Sequence, residues 1–245
     1  MKSSLFDRIA RYDSVASTND VAASLPEGAV VVADQQTAGR GRRGRSWFSP
    51  AGTGLYVSVV LAPSRSSEPR RATTLLTIAA GVAIAEAIEA ETRLRVDLKW
   101  PNDLYVGRRK LGGILAEAAT SGAPVERVVL GYGVNIGRAS YPPDVADRAT
   151  SIETELGVPA DRERVLRASL SSLARRYDDL LAARFDGILD AWRARAPNAS
   201  GARITWMSGA GPIEAVTAGI DADGALLARI GDRVERIVAG EIVWE

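Results

Sequence analysis

The chain has 245 residues, 31 Lys plus Arg against 30 Asp plus Glu, a net charge of +1, and neither histidine nor cysteine. These absences exclude Cys–His and Ser–His–Asp nucleophilic catalysis, histidine proton shuttles, Cys/His zinc sites and iron–sulfur clusters. The charge balance argues against a protein that mainly coats nucleic acid, and because lysine occurs only at Lys2, Lys99 and Lys110, any role for an ammonium group falls on one of three positions.

In chain order, Ala29 to Val32 is a β-branched run after the turn Pro26-Glu27-Gly28, and Leu55, Val57, Val59 and Leu61 alternate with Tyr56, Ser58 and Val60 as in a strand. Leu75, Leu76, Ile78, Ala79, Val82, Ile84 and Ile88 predict a helix between Ser67 and Thr92, with Ser67 as N-cap and Pro69 in its first turn. Asp103 to Val106 and Lys110 to Ala119 form a hairpin about Gly107-Arg108-Arg109, and Val125 to Ile136 holds another apolar run. Asp161 opens a helix through Val165, Leu166, Leu170, Leu173, Tyr177 and Leu180, and a shorter helix covers Phe185 to Arg195.

The breakers from Ala196 to Gly201 mark a boundary between units 1–198 and 199–245. Beyond it the short stretches Arg203–Met207, Ile213–Ala218, Ala225–Ile230, Val234–Val238 and Glu241–Trp244 are spaced as in a small β-barrel. They are separated by turns at Gly209-Ala210-Gly211, Asp221 to Gly224, Gly231-Asp232 and Gly240. No apolar run approaches the roughly 18 to 20 residues that cross a bilayer, and the start MKSSLFDRIARYDS lacks a leader's apolar region. A cytoplasmic protein with no membrane partner is expected.

Four segments carry chemistry. The densest runs from Gln35 to Pro50 and holds Arg40, Gly41, Arg42, Arg43, Gly44, Arg45 and Trp47. Its glycines free the backbone, and its guanidinium groups match carboxylates and phosphates. Composition alone also fits a solvated basic loop or an RNA-binding tail, but its place between two strands of a folded domain is unlike a terminal disordered tail.

In the second segment, Lys99-Trp100-Pro101-Asn102-Asp103 leads into Lys110, Gly112, Gly113 and Glu117, and Pro101 biases Trp100 toward an extended conformation. It reads either as a site or as a hairpin with ordinary surface lysines. In the third, Gly131 to Gly137 places Asn135 in a glycine-rich strand end, which also fits a bulge. The fourth, Ser17-Thr18-Asn19-Asp20, is either a helix N-cap or a ligand-binding turn.

Together, in this order, STN, QTAGRGRRGR-W-SP, KWPNDLY with RRK-GGIL, and GYGVNI resemble the biotin–protein ligase family over nearly the whole chain. The resemblance implies an α/β (α+β) catalytic domain on a mixed sheet, akin to class II aminoacyl-tRNA synthetases, and a C-terminal SH3-like β-barrel. It implies the substrates biotin and ATP with Mg²⁺, and biotinyl-5′-AMP formed first and then consumed by a lysine of a biotin carboxyl carrier domain. Such chemistry runs on preorganised cations and backbone amides without an enzyme nucleophile.

By the same resemblance Ser17, Thr18, Asn19, Gln36, Arg40, Gly41, Arg42 and Lys110 bind biotin. Arg40, Arg42, Arg43, Trp47, Asn102, Asp103 and Asn135 bind the nucleotide. Arg42 and Lys110 are the catalytic cations, and Asp103 is the link to magnesium. Gly112 and Gly113 permit close backbone approach. Because the STND segment begins at residue 17, a ligase without a DNA-binding repressor domain is expected, acting as a monomer or homodimer with no nucleic-acid partner. A lipoate-type acyl ligase shares the architecture and is the alternative, and an Arg-rich nucleic-acid-binding module is the reading from another class.

Overall fold

The computed structural model describes residues 5–118, 126–209, 211–238 and 241–244. Ala119, Val125, Ala210 and Gly240, which the sequence reading draws into strands and turns, lie outside the described residues.

Seven strands form a mixed sheet: β1 (Arg8–Val15), β2 (Ala29–Gln36), β3 (Gly54–Leu61), β4 (Asp97–Lys99), β5 (Asp103–Val106), β6 (Arg109–Ala118) and β7 (Val128–Asn135), in the order β1-β2-β3-β7-β6-β5-β4. Only β1 and β2 run parallel, and the other neighbours are antiparallel. The helices are α1 (Thr18–Ala22), α2 (Pro69–Thr92), α3 (Ile152–Leu156), α4 (Arg162–Leu181) and α5 (Phe185–Arg193). Helices α2 and α4 cover one sheet face, with α5 packed against them, and Val57, Val59, Leu130, Tyr132, Ile84 and Leu173 share a single apolar core.

The alternation read in β3 marks two covered faces, because all eight of its residues are buried. Its odd-numbered apolar residues meet the helices, while Ser58 on the other face bonds to α1. Helix α2 needs two corrections. Glu68 rather than Ser67 is its cap residue, because Pro69 occupies the first helical position. Ser66 Oγ instead accepts the Glu68 N–H at 3.3 Å and donates to Leu180 O at 2.9 Å. This helix also carries an apolar stretch of membrane-spanning length, contrary to the sequence reading, because its many Ala and Gly residues leave few charges to interrupt it. It is mostly buried, and packs as a core helix.

Asp161 caps α4 as read, accepting the N–H groups of Glu163 and Arg164 at 2.9 and 3.1 Å. The C-terminal strands β8 (Ser200–Ser208), β9 (Gly211–Ile220), β10 (Leu226–Ile230), β11 (Arg233–Ile237) and β12 (Glu241–Trp244) form an antiparallel sheet ordered β11-β10-β9-β8-β12, consistent with an SH3-like domain. Its turn at Asp221 to Gly224 docks on the first unit. Trp100 Nε1 donates to Gly224 O at 2.9 Å and Arg71 Nε to Ala222 O at 3.1 Å. Gly224 has φ +80°, and an added Cβ would meet Ile78 Cδ1 at 2.6 Å.

Candidate active site

The sheet face away from α2 and α4 is shaped by glycines. Pairing brings Tyr56 of β3 and Gly113 of β6 opposite Gly133 of β7, and brings Ser58 and Leu115 opposite Gly131. A Cβ on Gly131 would lie 2.3 Å from Asn19 Oδ1, and one on Gly133 the same 2.3 Å from Trp47 Nε1. These two positions are bare so that Asn19 and Trp47 can lie against the strand.

At one end of this face, α1 and the end of β2 gather amides and hydroxyls. Thr18 N donates to Gln36 Oε1 at 2.9 Å, and Gln36 Nε2 to Ser49 Oγ at 3.0 Å. Ser58 Oγ lies 2.7 Å from Thr18 Oγ1 and 2.5 Å from Asn19 Oδ1. Ser17, Thr18, Asn19, Ser49 and Ser58 are all buried, so the hydrogen bonds of this cluster hold it in one arrangement. Ser17 is the N-cap residue of α1 but its side chain makes no capping bond.

The glycine-arginine segment folds into a tight turn over the cluster. Gly41 N donates to Arg45 O at 2.6 Å and Trp47 N to Gly39 O at 2.8 Å, and Arg43 adopts the left-handed region at φ 58°. Its arginines separate by partner. Arg40 reaches Asp20 at 2.6 Å and Glu117 at 2.9 Å, and these bonds, Glu117's first, raise its already high pKa. Arg42 reaches Asn102 Oδ1 at 3.3 Å. Its pKa falls because burial disfavours the charge, an effect opposed by Asp103 and reinforced by Arg43. Arg43 itself is exposed at the tip of the turn.

The hairpin of β5 and β6 supplies the other end. Lys110 Nζ lies 2.7 Å from Asp103 Oδ1 and 5.5 Å from the centre of the Trp47 ring. Asn102 Nδ2 donates to Ile114 O at 2.7 Å, which aims its oxygen at Arg42. The Lys110 backbone is held by Thr150, whose N–H donates to Lys110 O at 2.9 Å. Asn135 is buried, and its Nδ2 donates to Thr150 O at 2.9 Å. A cleft of about 250 Å³ opens beside Arg42 and Asn102 toward Trp100 and the docked turn at Gly224.

The structure thus brings Thr18, Asn19, Gln36 and Arg40 together at one end, and Arg42, Trp47, Asn102, Asp103 and Lys110 at the other. Arg43 points outward, and Asn135 is committed to the backbone. Sequence reading gave no role to Ser49, Ser58, Asp20 and Glu117, although Asp20 and Glu117 stand in segments it singled out. Ser58 had left a signal, as a polar residue within a fully buried strand, but its partners Thr18 and Asn19 lie tens of residues away. Asp103, the residue expected to link to magnesium, pairs through Oδ1 with Lys110 at 2.7 Å; no group of three or more carboxylates gathers among the described residues, so a magnesium ion here would have to be shared with nucleotide phosphates, with Asp103 as a single carboxylate ligand.

A polar cluster, a basic turn and an acid-paired lysine thus lie along one glycine-floored face of a mixed sheet. Residues 8–135 match the Biotin/lipoate A/B protein ligase family and residues 199–244 the biotin protein ligase C-terminal domain. The chain is 35% identical over 242 residues to a biotin--[acetyl-CoA-carboxylase] ligase of Paracoccus denitrificans, covering 96% of this chain and 99% of that protein. It is 34% identical over 237 residues to the bifunctional ligase/repressor BirA of Bacillus spizizenii, covering 94% of this chain and 72% of that protein. A solved biotin protein ligase from Aquifex aeolicus, in complex with biotin and ATP, superposes with a TM-score of 0.85 at 27% identity, covering 98% and 99% of the two chains. The chain belongs to the biotin/lipoate A/B protein ligase family, and it is an enzyme of the biotin ligase class.

Proposed function

We propose that the enzyme joins biotin and ATP to give biotinyl-5′-AMP and pyrophosphate, then passes biotin to a lysine of a biotin carboxyl carrier domain. The observation that carries this reading is the separation of the site, along one glycine-floored face, into a buried cluster of amides and hydroxyls whose one cation, Arg40, is paired with Asp20 and Glu117, and an end that carries Arg42 and Lys110. In the first step a biotin carboxylate oxygen attacks the α-phosphorus, and pyrophosphate leaves with the bonding pair. In the second the carrier amine attacks the acyl carbon, and AMP leaves with the electrons of the acyl–oxygen bond while the amine gives up a proton.

Ser17, Thr18, Asn19 and Gln36 receive the ureido head group, where donors and acceptors must match on both sides. Arg40 and Gly41 close the turn over it. Arg42 and Lys110 meet the carboxylate and α-phosphate, where charge builds during attack. Each is aimed by a neighbour, Arg42 by Asn102 and Lys110 by Asp103. Trp47 forms a wall of the site beside Lys110. The unit over residues 1–198 carries this chemistry, and the unit over 199–245 braces the Trp100-Pro101-Asn102 turn.

The test is exchange of labelled pyrophosphate into ATP by the folded protein, without carrier, in the presence of biotin, lipoate or neither. Exchange with biotin alone supports the reading. Exchange with lipoate alone, or none, overturns it.

A further inference from the structure

Glu117 stands on β6 opposite Val129, and one of its carboxylate oxygens takes two donors, Asn19 Nδ2 at 2.5 Å and Arg40 Nη2 at 2.9 Å. The two donors depend on it differently. Arg40 holds a second carboxylate, Asp20, at 2.6 Å. Among the described residues, the Asn19 amide nitrogen has no other acceptor.

The orientation of the Asn19 amide controls more than one bond. Its oxygen accepts from Ser58 Oγ at 2.5 Å, which uses the only Ser58 hydroxyl hydrogen. The 2.7 Å contact between Ser58 and Thr18 then requires the Thr18 hydrogen. Thr18 Oγ1 also lies 3.1 Å from Gln36 Oε1, but with its hydrogen turned to Ser58 that oxygen accepts from the Thr18 backbone N–H at 2.9 Å, and Gln36 Nε2 faces Ser49. The hydrogens therefore run in one direction, from Thr18 to Ser58 to Asn19 to Glu117. Reversing the amide would face its oxygen to a carboxylate at 2.5 Å and its NH₂ to Ser58 Oγ, and would redirect every hydroxyl in the chain. The backbone of Gly131 lies directly against Asn19 and closes off a sideways escape.

We propose that Glu117 is a positioning residue for the head-group end of the site: its charge fixes which end of the Asn19 amide faces Ser58, and so sets the donor and acceptor pattern that the ligand meets. This inference rests on the reading that biotin's ureido group occupies the cluster of Ser17 to Asn19 and Gln36. The reacting carboxylate lies at the other end of the ligand, so loss of Glu117 acts on binding and not on the chemical step.

The experiment compares the unaltered enzyme with Glu117→Gln. Biotin should raise the melting temperature of the unaltered enzyme; if it does not, the assignment of the head-group cluster falls and this inference falls with it. With that stabilisation present, Glu117→Gln should raise KM for biotin about tenfold while kcat at saturating biotin changes less than about twofold. An unchanged KM, or a fall in kcat alone, overturns the role of Glu117. In an Asn19→Ala background, with no amide left to orient, Glu117→Gln should add less than about twofold to KM, and full additivity overturns the proposal. A further measurement needs no variant: in the unaltered protein the side-chain amide protons of Asn19 should be protected from exchange and shifted downfield by the carboxylate. Solvent-like shifts and exchange would overturn the geometry even if Glu117→Gln failed to fold.

Discussion

Lys110 Nζ and Asp103 Oδ1 lie 2.7 Å apart across the hairpin of β5 and β6, each partly exposed. A pair in that setting contributes at most about 1 kcal/mol to stability, so its value is in aiming an ammonium group. Lys110→Gln should leave the melting temperature nearly unchanged and lower biotin-dependent pyrophosphate exchange by about 10²-fold. Exchange at the parental rate would show that Lys110 is not a cation of the first step.

Arg42→Ala removes a guanidinium group that, among the described residues, makes a 3.3 Å contact with Asn102. The expected loss of stability is about 1 kcal/mol or less. Adenylate should form more slowly and leave the enzyme faster, as measured by single-turnover formation and by release of labelled adenylate from a filter-bound complex. A collapse of stability without these effects would make Arg42 a structural residue.

Gly133→Ala introduces a Cβ that meets Trp47 Nε1 at 2.3 Å. Trp47 belongs to the turn rather than to the core behind the sheet, so the turn is the part that shifts. The fold should lose about 1–3 kcal/mol, and tryptophan fluorescence should change even without ligand. Biotin affinity should fall as well. Unaltered fluorescence and affinity would mean that Trp47 does not rest on this strand in solution.

Trp100→Phe deletes the 2.9 Å bond to Gly224 O and leaves that carbonyl without its partner between the two sheets. Urea unfolding should register a loss of about 1–3 kcal/mol. Because Trp100 adjoins the turn that carries Asn102, adenylate formation should weaken too. A variant with the parental midpoint and activity would separate the C-terminal sheet from the site.

The turn from Arg40 to Arg45 is fastened through Arg40 to Asp20 and Glu117, beside the cluster of Thr18, Asn19 and Gln36. A ligand that fills the cluster should hold the turn in place, as ligand lids are held. Trypsin cleavage between Arg40 and Arg45 should slow when biotin is added. Equal cleavage with and without biotin would count against closure.

Much of this architecture was legible in the sequence because its signals are local. Apolar alternation marked β3, a 3.6-residue period marked α4, Asp161 announced its cap, and glycine-rich turns divided the C-terminal strands. The elements that escaped lack such signals. Strand β1 is an edge strand with polar residues over most of its length, β4 has three residues, and α3 is a single turn of five.

Which residue types the site offers was a matter of composition and order: the chain has no His or Cys, four of its arginines stand in one glycine-rich turn, and two of its three lysines, Lys99 and Lys110, flank one strand, a set consistent with a site built on fixed cations and amides. Their distribution was not readable in the same way. Within one turn Arg40 is bound by two carboxylates, Arg42 reaches Asn102, and Arg43 faces solvent. Those partners lie 20 to 77 positions away along the chain. A side chain's identity sets what it can bond to, but pairing depends on distance and burial, and only the sheet register that brings β6, β7 and α1 together decides these.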